Sequence, residues 1–292
     1  MKLSLAFAAL LLAPVAIALP AAAHAAEAPT RFSVTVEGAG PDVVMIPGLM
    51  SSRAVWDEAV KSLGGKYRVH RVQIAGFAGE PAGPNADGPL LAPIVEQLAA
   101  YIRDNRLDRP AMVGHSMGGF LSLMLADRHP DLAGKLLIVD SLPFYSMMFG
   151  PQATPAAVEP QAARLRDMIA NADDAAYRAQ QAQSYASLVK TAGARAALFE
   201  QSIRSDRKVA GRAVYEIMTT DMRPRLPELK VPVTVAYATN AYAPPARITP
   251  LYESYKAAPG ATLVEVPDSY HFITADQPAR FAEILATLLG GR

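Results

Sequence analysis

Short apolar runs rich in β-branched residues alternate along the chain with segments whose apolar positions recur at helical spacing. Seven of these runs predict strands, over residues 32–37, 43–46, 67–74, 111–113, 136–139, 233–237 and 262–266. Helices are predicted over residues 91–103, 120–128 and 278–289. Most of the later strands are nearly continuous apolar runs, which is typical of strands covered on both faces. The pattern therefore predicts an α/β fold with a mostly parallel, doubly wound sheet.

The alternation stops between residues 143 and 225, where the sequence is rich in Ala, Gln, Arg and Met. Amphipathic helices are predicted there over residues 161–170, 175–189, 195–203 and 208–219. A helical insertion that follows a strand end should lie over the carboxyl edge of the sheet, where α/β proteins bind ligands. We interpret residues 143–225 as a helical cap, or lid, and residues 26–142 and 226–292 as the core. A structural subdomain without ligand contact is the alternative.

The first 25 residues have the organisation of a secretory signal peptide. Lys2 supplies a positive charge, residues 3–19 are apolar, and Ala23-His24-Ala25 has the pattern of a cleavage site. A membrane anchor is the alternative, but the apolar stretch is short and no basic cluster follows it. The sequence thus predicts a bacterial protein that is exported to the periplasm or secreted, without membrane association after cleavage.

Charge and composition exclude several functions. The 28 basic and 27 acidic side chains leave no excess of positive charge for nucleic-acid binding. Because the sequence contains no Cys, disulfides, thiolate nucleophiles and cysteine metal sites are excluded. The five His include no close pair, so no metal site is predicted, and nothing in the sequence calls for a cofactor.

The sharpest chemical signal is the motif Gly-His-Ser-Met-Gly-Gly at residues 114–119, between a predicted strand and a predicted helix. This is the Gly-x-Ser-x-Gly arrangement of a nucleophile on a tight strand-to-helix turn. Small residues at Gly114 and Gly118 let the strand and the helix approach closely. The turn presents the hydroxyl of Ser116 and directs the amide of Met117 to the place where an oxyanion forms. Ser116 is therefore predicted to be a catalytic nucleophile.

Together with this motif, a second segment makes the chain resemble the α/β-hydrolase superfamily over essentially all of the sequence after the leader. Ile-Pro-Gly-Leu-Met at residues 46–50 resembles the family's oxyanion loop, with Pro-Gly in place of the usual His-Gly. The resemblance implies that the backbone amides of Leu49 and Met117 form the oxyanion hole. It also implies the α/β-hydrolase fold, with the all-helical cap inserted after strand β6.

The same resemblance implies a catalytic His on the loop after the last strand, and His271 lies on such a loop. A neutral imidazole can accept the proton of Ser116 near physiological pH and return it to a leaving group. The other histidines are poor candidates, because His24 leaves with the leader, His70 lies within a predicted strand and His129 ends a predicted helix.

The acid of the implied triad departs from the commonest family pattern. The usual acid follows the penultimate strand, but residues 237–242 contain no carboxylate. A second location known in the superfamily, after the preceding strand, holds Asp140, which we favour as the partner of His271. Asn240 could orient the imidazole without stabilising its positive charge, and Asp268 is a third candidate. The alternative for Asp140 is a structural carboxylate bonded to local amides.

A serine nucleophile implies an acyl-enzyme, and therefore an ester, thioester, lactone or amide substrate. Hydrolysis of a carboxylic ester is the leading hypothesis. The largely apolar insertion, and the absence of a charged run near Ser116, favour a small-molecule substrate that is neutral and partly apolar. An acyltransferase or perhydrolase with the same triad is one alternative. A ligand-binding receptor with a largely silent triad is another, because the fold alone does not determine the function.

Overall fold

The computed structural model describes residues 28–290, so the predicted leader lies outside the described residues. The strands are β1 (Phe32–Glu37), β2 (Asp42–Ile46), β3 (Arg68–Ile74), β4 (Ala111–His115), β5 (Lys135–Val139), β6 (Val233–Thr239) and β7 (Thr262–Pro267). They form a seven-stranded sheet in the order β1-β3-β2-β4-β5-β6-β7. Strand β1 pairs antiparallel with β3, and the other neighbours in the sheet are parallel. The predicted fold class is confirmed.

The helices of residues 28–290 surround this sheet. They are α1 (Asp57–Ser62), α2 (Leu91–Asp104), α3 (Met117–Arg128), α4 (Pro155–Asn171), α5 (Asp174–Leu188), α6 (Ala192–Ile203), α7 (Arg207–Thr219), α8 (Pro245–Tyr252), α9 (Ile273–Asp276) and α10 (Pro278–Gly290). Short 3₁₀ helices are Arg53–Trp56, Gly83–Ala86, Tyr145–Phe149, Arg223–Glu228 and Glu253–Ala257. Within this described range, no helix combines the length and the apolar character that spanning a bilayer requires.

Both faces of the sheet are covered, as the apolar strands predict. Successive side chains of a strand point to opposite faces, so Val44 and Ile46 of β2 pack into a core that includes α2 and α3. Val43 and Met45 pack into a second core, on the other face, with residues of α1 and α10. The central strands are therefore buried on both sides, and their carboxyl ends form a rigid edge for the site.

The helices α4 to α7 lie between β5 and β6, in the segment predicted to be helical. This insertion follows the fifth strand of the sheet, so the expected position after strand β6 is corrected to β5. The expected strand number, β6, came from the family resemblance. In residues 28–290, only five strands precede the insertion, so the strand before it is β5.

Helix α4 begins at Pro155 and not at the predicted residue 161. Pro160 lies inside α4, while Pro155 occupies the first turn. The side chain of Thr154 accepts a hydrogen bond from the N–H of Ala157 and caps this earlier start. A favourable cap upstream thus extends the helix through a residue that usually interrupts one.

Candidate active site

The backbone of Ser116 forms a sharp turn between β4 and α3. Its φ of 52° and ψ of −121° lie in a region that side-chain-bearing residues rarely adopt. The turn is held on both sides, since the Ser116 N–H donates to the Val139 carbonyl and the Ser116 carbonyl accepts from the Phe120 N–H. Such a conformation persists only where the surrounding structure determines it. The side chain of Ser116 is thereby fixed at the carboxyl edge of the sheet.

Two glycines allow the contacts that make this turn possible. A Cβ atom at Gly114 would lie 2.2 Å from the Gly118 carbonyl oxygen, and one at Gly118 would lie 2.1 Å from the Ile46 carbonyl oxygen. Both distances are far below van der Waals contact. The first turn of α3 is therefore packed directly on the ends of β4 and β2, at positions where only glycine fits.

The predicted oxyanion loop lies beside the nucleophile. A Cβ atom at Gly48 would be 3.1 Å from the Cβ of Ser116. The loop backbone therefore touches the strand-to-helix turn at residues 114–118, which we call the elbow. The N–H of Met117 lies in the first turn of α3, where N–H groups have no partner within the helix. The N–H of Leu49 takes part in no backbone hydrogen bond of the turns and loops described. The two predicted donors thus lie on segments that adjoin Ser116.

The structure brings His271 and Asp140 together. The Nδ1 atom of His271 lies 2.6 Å from Oδ2 of Asp140. The other oxygen, Oδ1, accepts hydrogen bonds from the Tyr252 hydroxyl and from the Ala238 N–H, each at 2.9 Å. Asp140 follows β5 directly and has a positive φ of 45°, which turns it back across the end of β6. Both carboxylate oxygens of Asp140 therefore have hydrogen-bond partners, and Oδ2 faces the imidazole.

The two alternative partners of His271 are engaged elsewhere. The amide of Asn240 donates to the Ser269 carbonyl and accepts from the N–H groups of Tyr242 and Ala243, so it braces its own loop. Asp268 forms an ion pair with Lys190 on the surface, where 71% of its side chain is exposed. Within the described chain, Asp140 is therefore the carboxylate that contacts His271.

In the part of the chain that the structure describes, no hydrogen bond joins the side chains of Ser116 and His271. The hydroxyl of Tyr145 instead lies 3.4 Å from Ser116 Oγ and 3.1 Å from Ser141 Oγ. A single phenolic proton can serve one of these acceptors at a time. Catalytic hydrogen bonds are often long or poorly aligned without substrate. The resting hydroxyl of Ser116 thus lies next to Tyr145, a residue of the 3₁₀ helix that follows β5.

His115 connects the elbow to the loop of His271. Its Nε2 donates to the backbone carbonyl of His271 at 3.0 Å, and the two rings lie 4.6 Å apart between centroids. Burial lowers the pKa of His115 well below its usual value, and repulsion from the neighbouring His271 ring, when that ring is protonated, lowers it further. His115 is therefore a neutral residue that holds the loop of His271 against the elbow.

The tyrosines around Asp140 are neutral hydrogen-bond donors. Burial raises the pKa of Tyr145 to about 12, although its bonds to Ser116 and Ser141 act in the opposite direction. Burial, together with the charge of Asp140, raises the pKa of Tyr252 well above its usual value. Both phenols therefore keep their protons near neutral pH and remain available as hydrogen-bond donors.

A cavity of about 800 Å³ opens at this edge of the sheet, beside His271, Asp140 and Tyr145. One wall comes from α5 of the helical insertion, through residues 183 and 186–188. Another comes from α8 and the loop before it. The insertion therefore contributes directly to the space in front of the candidate catalytic groups. Within residues 28–290, no three His, Cys, Asp or Glu side chains converge in a way that could hold a metal ion.

The sheet order, the strained serine and the histidine–carboxylate pair define the class of α/β hydrolases. The model of the Alpha/beta hydrolase family matches residues 43–284, and the chain belongs to this family. The predicted family and the expectation of a hydrolase are confirmed.

Related proteins agree with this assignment. The chain is similar to the pimeloyl-[acyl-carrier protein] methyl ester esterase of Vibrio vulnificus, with 25% identity over 269 residues, covering 87% of this chain and 96% of that protein. It is similar to a thermophilic esterase of Thermogutta terrifontis, with a TM-score of 0.74, 17% identity and coverage of 89% and 93%. It is also similar to an enol-lactonase of Burkholderia xenovorans, with a TM-score of 0.71, 19% identity and coverage of 89% and 96%. At these identities the two solved structures support the fold alone.

Sequence reasoning missed two tyrosines of the site. Tyr252 lies 112 residues from Asp140 in the sequence, and Tyr145 lies 29 residues from Ser116, so no local motif joins either pair. Tyrosine also serves so often as a packing residue that its presence alone carried no signal.

Proposed function

We propose that the chain hydrolyses carboxylic esters through an acyl-enzyme on Ser116, with His271 as general base and Asp140 as its orienting carboxylate. The observation that carries the proposal is the 2.6 Å contact of His271 Nδ1 with Asp140, next to the strained turn at Ser116. A carboxylate at Nδ1 favours the tautomer in which Nε2 has a free lone pair. The similarity to a methyl ester esterase supports the same reaction class.

Acylation begins when the Ser116 hydroxyl turns from Tyr145 towards Nε2 of His271. Its oxygen attacks the ester carbonyl carbon while its proton passes to Nε2. The amides of Leu49 and Met117 stabilise the resulting oxyanion. The intermediate then collapses, and the C–O bond to the alcohol breaks. The departing oxygen takes the proton from Nε2, which leaves an acyl group on Ser116.

Deacylation repeats these steps with water as the nucleophile. Water attacks the acyl carbon and gives one proton to Nε2 of His271, and Ser116 recovers that proton as the acid product leaves. During both halves the imidazole carries a positive charge, which Asp140 stabilises through Nδ1. The neighbouring His115 stays neutral because of its burial, so it adds no charge repulsion to this intermediate state.

The proposal is tested with short-chain p-nitrophenyl esters. We expect hydrolysis by the wild-type protein and an initial burst of p-nitrophenolate wherever deacylation is the slower step. Ser116→Ala should lose this activity by about 10⁴-fold or more while remaining folded, because no other group can form the acyl-enzyme. Ser122→Ala is the matched control, since Ser122 lies on α3 and its hydroxyl donates to the Gly118 carbonyl. Equal activity of the Ser116 variant and the wild type would contradict the proposal.

We also propose that residues 1–25 direct export and are then removed. The arrangement of Lys2, the apolar stretch and Ala23-His24-Ala25 supports this step. Expression of the full chain in a bacterial host, followed by fractionation and mass spectrometry of the N-terminus, tests it. A cytoplasmic protein with an intact N-terminus would contradict it.

A further inference from the structure

The lining of the cavity beside His271 includes an arginine that is not part of the candidate triad. Apart from tyrosines, its lining contains three ionisable side chains, those of Asp140, His271 and Arg247. Asp140 and His271 contact each other and serve the proposed chemistry. Arg247 remains as a permanent cation, because a guanidinium does not lose its proton at physiological pH.

The guanidinium of Arg247 is anchored without being neutralised. Its Nη2 donates to the Tyr242 carbonyl at 2.5 Å. Among the described residues, no carboxylate lies within ion-pair distance of it, in contrast to Arg223, which pairs with Asp221. The loop that provides the Tyr242 carbonyl is itself held, because the side chain of Asn240 accepts from two N–H groups of that loop. The backbone carbonyl of Tyr242 thus orients the guanidinium, whose positive charge can still pair with a bound anion.

Helix α8 connects this cation to the candidate catalytic groups. Arg247 lies in its first turn, and Tyr252 at its end donates a hydrogen bond to Asp140. A rise of about 1.5 Å per residue separates the two backbone positions by about 7.5 Å along the helix axis. The backbone of Arg247 therefore lies less than two helical turns from the residue that contacts Asp140, and both residues line the same cavity.

The surface between these two points is mainly apolar. Leu142, Ile248 and Leu251 contribute to it, and the facing wall on α5 adds the neutral side chains of Gln183 and Ser187. Such a surface fits a hydrocarbon spacer. A single unpaired guanidinium matches one negative charge, and its planar set of N–H donors matches a carboxylate.

We propose that Arg247 binds a carboxylate of the substrate, so that the ester cleaved at Ser116 belongs to a molecule with a free acid group beyond a short apolar spacer. This inference rests on the proposed function and narrows its substrate class. It departs from the neutral substrate expected from the sequence, because Arg247 lies far along the chain from the Ser116 motif and reaches the cavity only through the fold.

The test compares mono-p-nitrophenyl glutarate with p-nitrophenyl valerate, which has the same chain length without the acid. Arg247→Gln should lower kcat/KM for the glutarate ester about fivefold, the effect of losing one partly exposed charge pair. The valerate ester should change by less than about twofold in the same variant, since it has no charge to lose. Arg164→Gln, which removes an exposed arginine of α4 outside the cavity lining, should leave both values unchanged.

Two further measurements separate this inference from the proposed function. Salt of about 0.5 M should reduce the wild-type preference for the glutarate ester, because exposed charges are screened. Binding of monomethyl glutarate to Ser116→Ala, measured by calorimetry, should weaken when Arg247→Gln is added, whether or not the wild type turns over esters. An equal glutarate-to-valerate ratio in the wild type and in Arg247→Gln, or equal binding in the two Ser116→Ala proteins, would overturn the inference. Failure of the wild type to cleave either ester would contradict the proposed function instead.

Discussion

The elbow at Ser116 and the cavity wall formed by α5 and α8 are built in different ways. The elbow consists of backbone atoms in direct contact, and Ser116 is only 8% exposed. The cavity lining as a whole includes exposed side chains, among them Met148 at 68% exposure in the 3₁₀ helix after β5 and Tyr242 at 78% in the loop before α8. A side chain added at Gly114 or Gly118 must therefore move backbone, whereas an exposed side chain of the wall can change without moving the elbow. The elbow therefore holds the candidate nucleophile in place, and the wall shapes the space in front of the candidate catalytic groups.

The largest effect that this comparison predicts is on folding, from Gly118→Ala. The new Cβ would lie 2.1 Å from the Ile46 carbonyl oxygen, so β2 and α3 must separate. We expect a loss of about 3 kcal/mol or more in the free energy of unfolding, measured by urea denaturation, together with a loss of activity. Gly193→Ala is the control, because Gly193 lies in helix α6 with open space around its Cβ position. Unchanged stability of the Gly118 variant would show that the elbow is not determined by these contacts.

The next effect is on turnover, from Asp140→Asn. The amide keeps nearly the same shape but cannot stabilise the protonated imidazole, and it favours the wrong tautomer. We expect kcat to fall by about 10⁴-fold, with little change in thermal stability. The control is Asp268→Asn, which alters the surface ion pair with Lys190 and should leave kcat nearly unchanged. Equal losses in the two variants would remove the special role given to Asp140.

A smaller effect is expected from Tyr252→Phe. This change removes one of the two hydrogen bonds to Oδ1 of Asp140 and leaves the one from the Ala238 N–H. Because one hydrogen bond to a charged group is lost, kcat should fall by about tenfold. Tyr242→Phe, at an exposed position of the cavity wall, should leave kcat for p-nitrophenyl valerate unchanged. A Tyr252 variant with wild-type kcat would mean that Asp140 is held by its backbone contacts alone.

The smallest expected effect is on the pH dependence of the protein's free energy of unfolding, and it arises from His115. Its pKa is lowered in the folded protein, because burial disfavours the charged ring, so the unfolded chain binds this proton more readily. The stability from this group is present above the ordinary pKa of 6.5 and is lost as the pH falls towards the folded value. His115→Gln should therefore lose less of its free energy of unfolding between neutral and acidic pH than the wild type loses. Parallel pH profiles of the two proteins in urea denaturation would contradict this.

The same division explains how much the sequence could predict. The predicted strands agree with the observed ones to within two residues at each end, because buried strands are continuous apolar runs. Ser116, Gly114 and Gly118 are read from a local motif, whereas the loop at Gly48 was identified through the family resemblance. His271 and Asp140 are 131 residues apart and were identified through the family resemblance.

The residues of the wall could not be predicted in this way. Tyr252 and Arg247 act through a helix that carries no motif, and their positions relative to Asp140 depend on how α8 packs across the end of the sheet. The early start of α4 is a different case, because Thr154 followed by Pro155 is a local helix-start signal that the prediction overlooked. Long-range packing, in contrast, is a property of the folded chain that a linear pattern does not contain.

The central claim is that the hydroxyl of Ser116 is the atom that receives the acyl group, activated by His271. Mass spectrometry of the protein quenched during turnover of p-nitrophenyl valerate tests it most directly. A valeryl adduct is expected on the peptide containing Ser116, with strong suppression of that adduct in His271→Ala. Turnover by the wild type with no adduct on Ser116 under any quench condition, or an adduct on a different residue, would contradict it.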